Sequence, residues 1–165
     1  MSIVTTVDRP DLVQTVADWL WQEFWRQDGY SLADTRSAVA ASVARLGPQQ
    51  TFVLLVDGEP VGTASLTAED LDERPDLTPW LAGVFIIPEA RGRGYATRLI
   101  GAVEAACRAA SVPILWLYTN TAERMYAGAG WRAVEVVPRQ GRCPVTVMRR
   151  DLEADKSRCS IAGRP

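Results

Sequence analysis

The sequence contains no histidine. That absence excludes Ser-His-Asp and Cys-His nucleophilic chemistry and every histidine-ligated metal site. A general base must then be a carboxylate, another side chain or a relayed water. Cysteine is scarce as well. Cys107, Cys143 and Cys159 are odd in number and widely spaced, which suits a reducing cytosol and matches no zinc pattern, so no metal is expected. No apolar run reaches the roughly 18 residues of a membrane span. Met1–Pro10 lacks the basic start and apolar core of a signal peptide, and a cytoplasmic protein is expected. A surplus of charge is missing too: a formal net charge of −2 gives no reason to expect nucleic acid or an anionic membrane as partner.

What is present is an ordinary globular composition over 165 residues, enough for one domain with a proper core. That domain is expected over residues 1–152, with a polar tail at 153–165. Ile3–Val7 is a β-branched run and a first strand. A helix then opens at Asp8 and Pro10 and runs to about Gln27, burying Leu12, Val16, Trp19 and Leu20. On a wheel of 3.6 residues per turn Glu23 falls inside this apolar stripe, so it is either solvated at the helix end or faces a substrate cleft. Ser31, with Asp34 three residues on, caps a second helix whose apolar face is Leu32, Val39, Val43 and Leu46, ending at Gly47-Pro48. Thr51–Val56 and Val61–Leu66 form a hairpin about Asp57-Gly58. An acidic loop over Ala68–Pro79 is either a solvated charge run or a lure for a cationic substrate through Asp70 and Asp72. Trp80–Ile87 is apolar on both faces, as a central strand should be. A long helix from Tyr95, with Leu99, Val103, Ala106 and Ala110 on its core stripe, precedes a strand at Pro113–Thr119 and a short helix at Thr121–Ala129. Strands at Trp131–Val137 and Val145–Arg150 flank a loop holding Pro138, Gly141 and Pro144. The order β-α-α-β-β-β-α-β-α-β-β describes an α/β (α+β) chain with a mixed sheet and helices on both faces.

Between the central strand and the long helix lies Arg91-Gly92-Arg93-Gly94-Tyr95-Ala96. The glycine spacing does not fit a dinucleotide fingerprint, and no G-K-[ST] of a P-loop follows. Small residues at a helix N-terminus still expose converging N–H groups, here from Gly92 to Thr97, and Arg91 and Arg93 add charge, so the turn suits a pyrophosphate. The alternative is a plain strand-to-helix connection with surface arginines.

A second segment decides between them. Arg91, Gly94 and Ala96 match an R/Q-x-x-G-x-G/A pattern, and Ala122, Tyr126, Gly130 and Trp131 supply a later A-x-x-x-Y helix followed by glycine and an aromatic residue. Together they resemble the GCN5-related N-acetyltransferase (GNAT) superfamily over roughly Ile3–Leu152. The resemblance implies a mostly antiparallel sheet of about seven strands and transfer of an acetyl group from acetyl-CoA to an amine, a small primary amine or a polypeptide N-terminus. It implies that the central strand splays from the next, with the pantetheine arm pairing against Val84, Phe85 and Ile86. The relatives' cofactor-contacting asparagine falls here on Thr119, with Asn120 one residue late. Tyr126 is the implied acid toward the leaving thiolate.

The central strand carries no ionisable base, leaving Glu23 first, then Asp70 and Asp72, as routes for the amine's proton. Trp25, near the end of the first helix, is a candidate wall for the acceptor. Relatives are often homodimers, and an exposed strand edge would permit one. A non-catalytic acyl-CoA sensor is the competing class, since it would keep the turn without an acid or base.

Overall fold

The computed structural model describes residues 1–152. Strands β1 (Ser2–Thr5), β2 (Gln50–Val56), β3 (Glu59–Thr67), β4 (Trp80–Ile86), β5 (Ile114–Thr119), β6 (Arg132–Arg139) and β7 (Arg142–Asp151) interleave with helices α1 (Val13–Leu20), α2 (Leu32–Ala40), α3 (Tyr95–Ala109) and α4 (Glu123–Gly128) in the expected order. They form a single seven-stranded sheet, β1-β2-β3-β4-β5-β7-β6. Every neighbouring pair is antiparallel except β4 with β5. The tail expected over 153–165, with Cys159, lies outside the described residues.

The two faces follow from alternation along β2. Val53 and Leu55 pack under α1 and α2 with Leu12, Val16, Ala17 and Leu20. Phe52 and Leu54 point the other way, into the larger core with Leu99, Ile100 and Val103 of α3 and Tyr126 of α4. A third cluster lies on the α1 side but beyond its reach, where Leu71 of the acidic loop covers Trp80, Trp116, Tyr118, Val137, Val145 and Val147. Between α1 and that loop the sheet is open.

Several sequence expectations shift. The first helix is regular α only from Val13 to Leu20; residues Trp21–Trp25 widen into a π-turn and Arg26–Asp28 tighten into a 3₁₀ turn. A wheel of uniform pitch therefore misplaces Glu23, which is exposed rather than part of the apolar stripe. The Ser31–Asp34 capping box is present, but α2 stops at Ala40, and Val43 and Leu46 are 68% and 64% exposed. The stripe of α3 is rotated toward Ile100 and Cys107, which are buried along with Leu99 and Val103. Strands β6 and β7 run through Pro138 and Pro144, so the expected loop shrinks to a tight turn at Gln140-Gly141.

Gly130 shows why the residue after α4 must lack a side chain. Its φ is +91°, and a Cβ would collide with the Arg150 guanidinium. That guanidinium donates from Nη1 to the Gly130 carbonyl at 2.8 Å. It also lies 3.3 Å from the carboxylate of Glu104, a residue only 8% exposed in the middle of α3. Arg108 is the second cation on Glu104, also at 3.3 Å. Gly130→Ala is expected to lose about 1–3 kcal/mol through backbone strain and displacement of Arg150. A urea melt measures it; an unchanged midpoint would refute the account.

Candidate active site

Strands β4 and β5 share one register pair, Trp80 with Trp116. The Trp116 N–H donates to the Pro79 carbonyl at 3.1 Å. Past that point β4 has no strand partner on its β5 side. On its β3 side, Ser65 pairs with Ala82 and Thr63 with Phe85, so one residue of β3 faces two of β4. This bulge is made by Gly83, whose φ of +58° a side chain would resist. A Cβ there would also stand 3.1 Å from Leu20 Cδ2 of α1. The bulge sends Val84 to the α3 face and Phe85 to the α1 face, where its ring lies 5.6 Å from that of Trp19. Residues Ala82–Phe85 are consequently only half-buried. The expectation of a strand sealed on both faces is corrected: the middle of β4 floors a cleft.

The glycine turn lies at the C-terminal end of the same strand. Gly92 and Gly94 both take φ of +75°, and no atom stands within 4 Å of where either Cβ would be. Helix α3 starts without a side-chain cap. None of the amides from Gly92 to Thr97 donates to a protein acceptor among the described residues. Six consecutive free N–H groups at the positive end of a four-turn helix make an anion cradle. Arg93 is exposed beside it. Arg91 is used differently: its Nε donates to the Ile86 carbonyl at 2.9 Å and its guanidinium lies 5.8 Å from the Phe85 ring centre, clamping the turn to β4.

Tyr126 is buried within the α3-side core, 6.1 Å from the Trp131 ring in an edge-on contact. Burial alone pushes its hydroxyl up to about 12. Thr119 is a cap: its Oγ1 accepts from the amides of Ala122 at 3.0 Å and Thr121 at 3.3 Å, which shapes the entry to α4. Asn120 is exposed.

Across the sheet the acidic loop brings Asp70 beside Tyr118. Burial, with Asp72 adding repulsion against the pull of Arg139, raises the Asp70 carboxyl to about 7. The residue is nevertheless exposed at the surface. Its solvent access moderates the size of the rise, while the direction stands. Tyr118 answers in kind: burial first, then the charge of Asp70, lifts its hydroxyl to about 12. Around them the β6–β7 hairpin is tied to both walls, by Arg142 to Asp28 at 3.0 Å and by Arg139 to Glu73 at 3.2 Å. Arg139 also lies 5.6 Å above the Tyr118 ring. Trp25 is half-buried, its ring 5.5 Å from that of Tyr30. Glu23, Asp70 and Asp72 are all exposed, and of the three only the carboxyl of Asp70 is raised by its surroundings. Tyr118, Arg139, Arg142 and Asp28 were not legible as site residues. The Gly83 bulge had a signal, since a lone glycine inside an apolar strand marks a bulge.

Among the described residues no group of acidic or sulfur side chains is arranged to hold a metal ion, and no helix is long and apolar enough to cross a membrane. A family model described as the acetyltransferase (GNAT) family matches residues 13–131. The fold is similar to that of an aminoglycoside 6'-N-acetyltransferase complexed with coenzyme A, at 14% identity and a TM-score of 0.75, covering 93% of this chain and 98% of that one. It is also similar to an aminoglycoside 6'-acetyltransferase type Ii, at 17% identity and a TM-score of 0.72 over 93% and 98% of the two chains. A ribosomal-protein-alanine N-acetyltransferase from Brucella melitensis aligns at 18% identity with a TM-score of 0.67 over 92% of this chain and 100% of that one. No curated protein matches by sequence.

The raised Asp70 carboxyl has a consequence for stability. The carboxyl ionises at a higher pH in the folded chain than in the unfolded one, so folding carries a cost that is absent at low pH and complete above the folded value. Asp70→Asn removes the charge. Its melting temperature is expected to exceed that of the parent at pH 8.5, with the gap closing as pH falls toward 4. Equal melting temperatures at pH 8.5 would show that Asp70 is fully solvated.

Proposed function

The chain belongs to the acetyltransferase (GNAT) family and is an acetyl-CoA-dependent acetyltransferase, and from that premise we propose that its acceptor is a small primary amine bound as a cation beside Asp70. The observation that carries this reading is the cleft that begins where the Trp80–Trp116 pairing ends, with unpaired amides on one side of the sheet and an unpaired carboxylate on the other.

The residues present suit acetyl-CoA. The amides of Gly92–Thr97 and Arg93 offer donors for a pyrophosphate. The edge of β4 around Val84, without a strand partner on the β5 side, offers backbone groups to the pantetheine amides, while the Ile86 carbonyl already accepts from Arg91. Acetyl-CoA supplies the activated carbonyl and a thiolate leaving group. The chain's task is then to hold it, to stabilise negative charge on the carbonyl oxygen from the β4 amides, and to manage two protons.

The first proton is on the acceptor. An alkyl ammonium near 10 leaves about one amine in a thousand free at pH 7. Asp70, whose carboxyl is raised by its surroundings, lies closer to that amine than an ordinary aspartate, which makes it the better base directly or through water. Glu23 is exposed on the widened turn after Leu20 and ranks behind Asp70 as the base. The second proton goes toward sulfur. With its hydroxyl near 12 and a thiol near 8.5, Tyr126 faces an uphill transfer of about 5 kcal/mol. Tyr126 therefore acts by donating a hydrogen bond to developing thiolate, and the thiol is protonated afterward from water.

The hairpin tethers favour a small acceptor. The Arg142–Asp28 and Arg139–Glu73 pairs bridge the cleft from both sides, which leaves less room for a polypeptide than an untethered hairpin would.

Thiol release from acetyl-CoA across a panel of small amines and N-terminal peptides tests the reading. Turnover with small amines is expected, and turnover confined to peptides would refute it. Asp70→Asn is expected to lower kcat/KM at pH 7 by roughly 100-fold or more and to abolish its acid limb. Tyr126→Phe is expected to lower kcat by roughly 100-fold with little change in the KM for acetyl-CoA. A Tyr126→Phe enzyme with full kcat would remove that residue from the mechanism.

A further inference from the structure

The α3-side core holds a buried ionic cluster that acetyl transfer, as described above, does not use. Glu104 sits in the middle of α3, between Val103 and Cys107, neither of which has exposed surface. Its carboxylate lies 3.3 Å from each of two guanidiniums: Arg108, one turn on in the same helix, and Arg150 of β7. Arg150 alternates along the chain with Met148 and Leu152, which both pack in the same core, so it points to the α3 side as they do. A buried carboxylate costs stability even when paired, and apolar side chains of the same size would hold the core as well. What the cluster adds is direction, because a fixed carboxylate aims a guanidinium at one further acceptor.

That acceptor is the end of α4. Arg150 Nη1 donates to the Gly130 carbonyl at 2.8 Å. Gly130 leaves the room for it, since a Cβ there would collide with that same Nη1. The next residue, Trp131, donates its amide to the Tyr126 carbonyl at 3.0 Å and sets its ring edge-on to the Tyr126 ring at 6.1 Å. The Ala129 amide donates to the same carbonyl, also at 3.0 Å. The turn that Arg150 holds is thus joined to Tyr126 through backbone and ring alike. Helix α4 is six residues long, too short to stand without outside support. The Tyr126 hydroxyl has no hydrogen-bond partner of its own among the described residues.

We propose that Arg150 is a positioning residue for acetyl transfer: braced by Glu104 of α3, it holds the turn after α4 and so sets the place of the Tyr126 hydroxyl. The inference rests on the reading of Tyr126 as the donor to developing thiolate. The amide cradle lies at the N-terminal end of α3, and Glu104 is fixed about two and a half turns along that helix. The carrier's sulfur is therefore placed by α3, while the donor rides on α4. The contacts from Glu104 through Arg150 to Gly130 join the two helices by groups of fixed direction. A donor displaced by about 1 Å is enough to cost rate.

The test is a double-mutant cycle on thiol release from acetyl-CoA with the small amines of the panel above, read beside a fluorine spectrum. Arg150→Met strips Glu104 of a partner, so it is compared with Glu104→Leu/Arg150→Met, in which both buried charges are gone. The paired variant is expected to melt close to the parent, with kcat lower by roughly 10-fold and the KM for acetyl-CoA unchanged. Arg150→Lys keeps a cation on Glu104 without the fork and is expected to fall between. In a Tyr126→Phe background the same substitutions are expected to cost nothing further. The chain has four tyrosines, and 3-fluorotyrosine labelling reports on each, with Tyr126→Phe identifying the line of Tyr126. In the Arg150 variants that line is expected to move and to lose its response to added CoA, while the Tyr118 line stays. Arg150→Lys keeps the idea testable should the methionine variants fail to fold. An unmoved Tyr126 line, or an equal loss of kcat in both backgrounds, overturns the role of Arg150 and leaves Tyr126 standing. Full kcat in Tyr126→Phe removes Tyr126 from the chemistry, and the inference with it.

Discussion

One failed pairing governs this molecule. Two parallel strands begin a ladder at Trp80 and Trp116 and do not continue it. Trp80 is fully buried, and its indole N–H donates to the Leu77 carbonyl at 2.7 Å, so the start of the ladder is fixed. The Gly83 bulge adds a residue to β4 just beyond, where the strand would otherwise have carried on in register with β3. Backbone groups left without partners in the middle of a sheet are costly unless something hydrogen-bonds to them. A ligand with amides of its own would resolve that cost, so the gap that weakens the sheet suits the proposed cofactor arm.

The two sides of the gap carry opposite charge. Toward α3 the field comes from backbone amides and a helix dipole, with arginines nearby, and suits a phosphorylated carrier. Toward α1 it comes from Asp70. The sheet between them keeps the two apart while the splay joins them at one point. Arg91 contributes to the geometry by stitching the turn to Ile86 and Phe85, and Phe85 meets Trp19 of α1. The carrier turn and the acceptor wall are therefore packed against the same β4 side chain.

The free-amide turn is legible because its geometry is local: two glycines one residue apart, a strand before and a helix after. The Ala122–Tyr126–Gly130 segment was legible for the same reason. Glu23 was misplaced because a helical wheel assumes one pitch, and the chain widens into a π-turn at Trp21–Trp25. Val43 and Leu46 were assigned to a helix that ends at Ala40, since a pattern of apolar spacing does not say where packing stops. Arg139, Arg142 and Asp28 escaped notice because their meaning lies in ion pairs across 66 and 114 residues of sequence. No spacing rule connects residues that only the sheet order brings together.

The ion pairs around the cleft also explain why one carboxylate among many is singled out. Asp28 and Glu73 each hold an arginine, while Asp72 is exposed and hydrated. Asp70 is exposed too and has no ion pair among the described residues, but its surroundings raise its carboxyl. A carboxylate raised in this way reduces stability at neutral pH. The two guanidiniums nearby could have cancelled that cost by pairing with Asp70. They are instead committed to the walls, and Leu71 anchors the loop beside Asp70. A fold selected for stability alone would pair this group. Its unpaired charge is what the proposed cationic acceptor would answer.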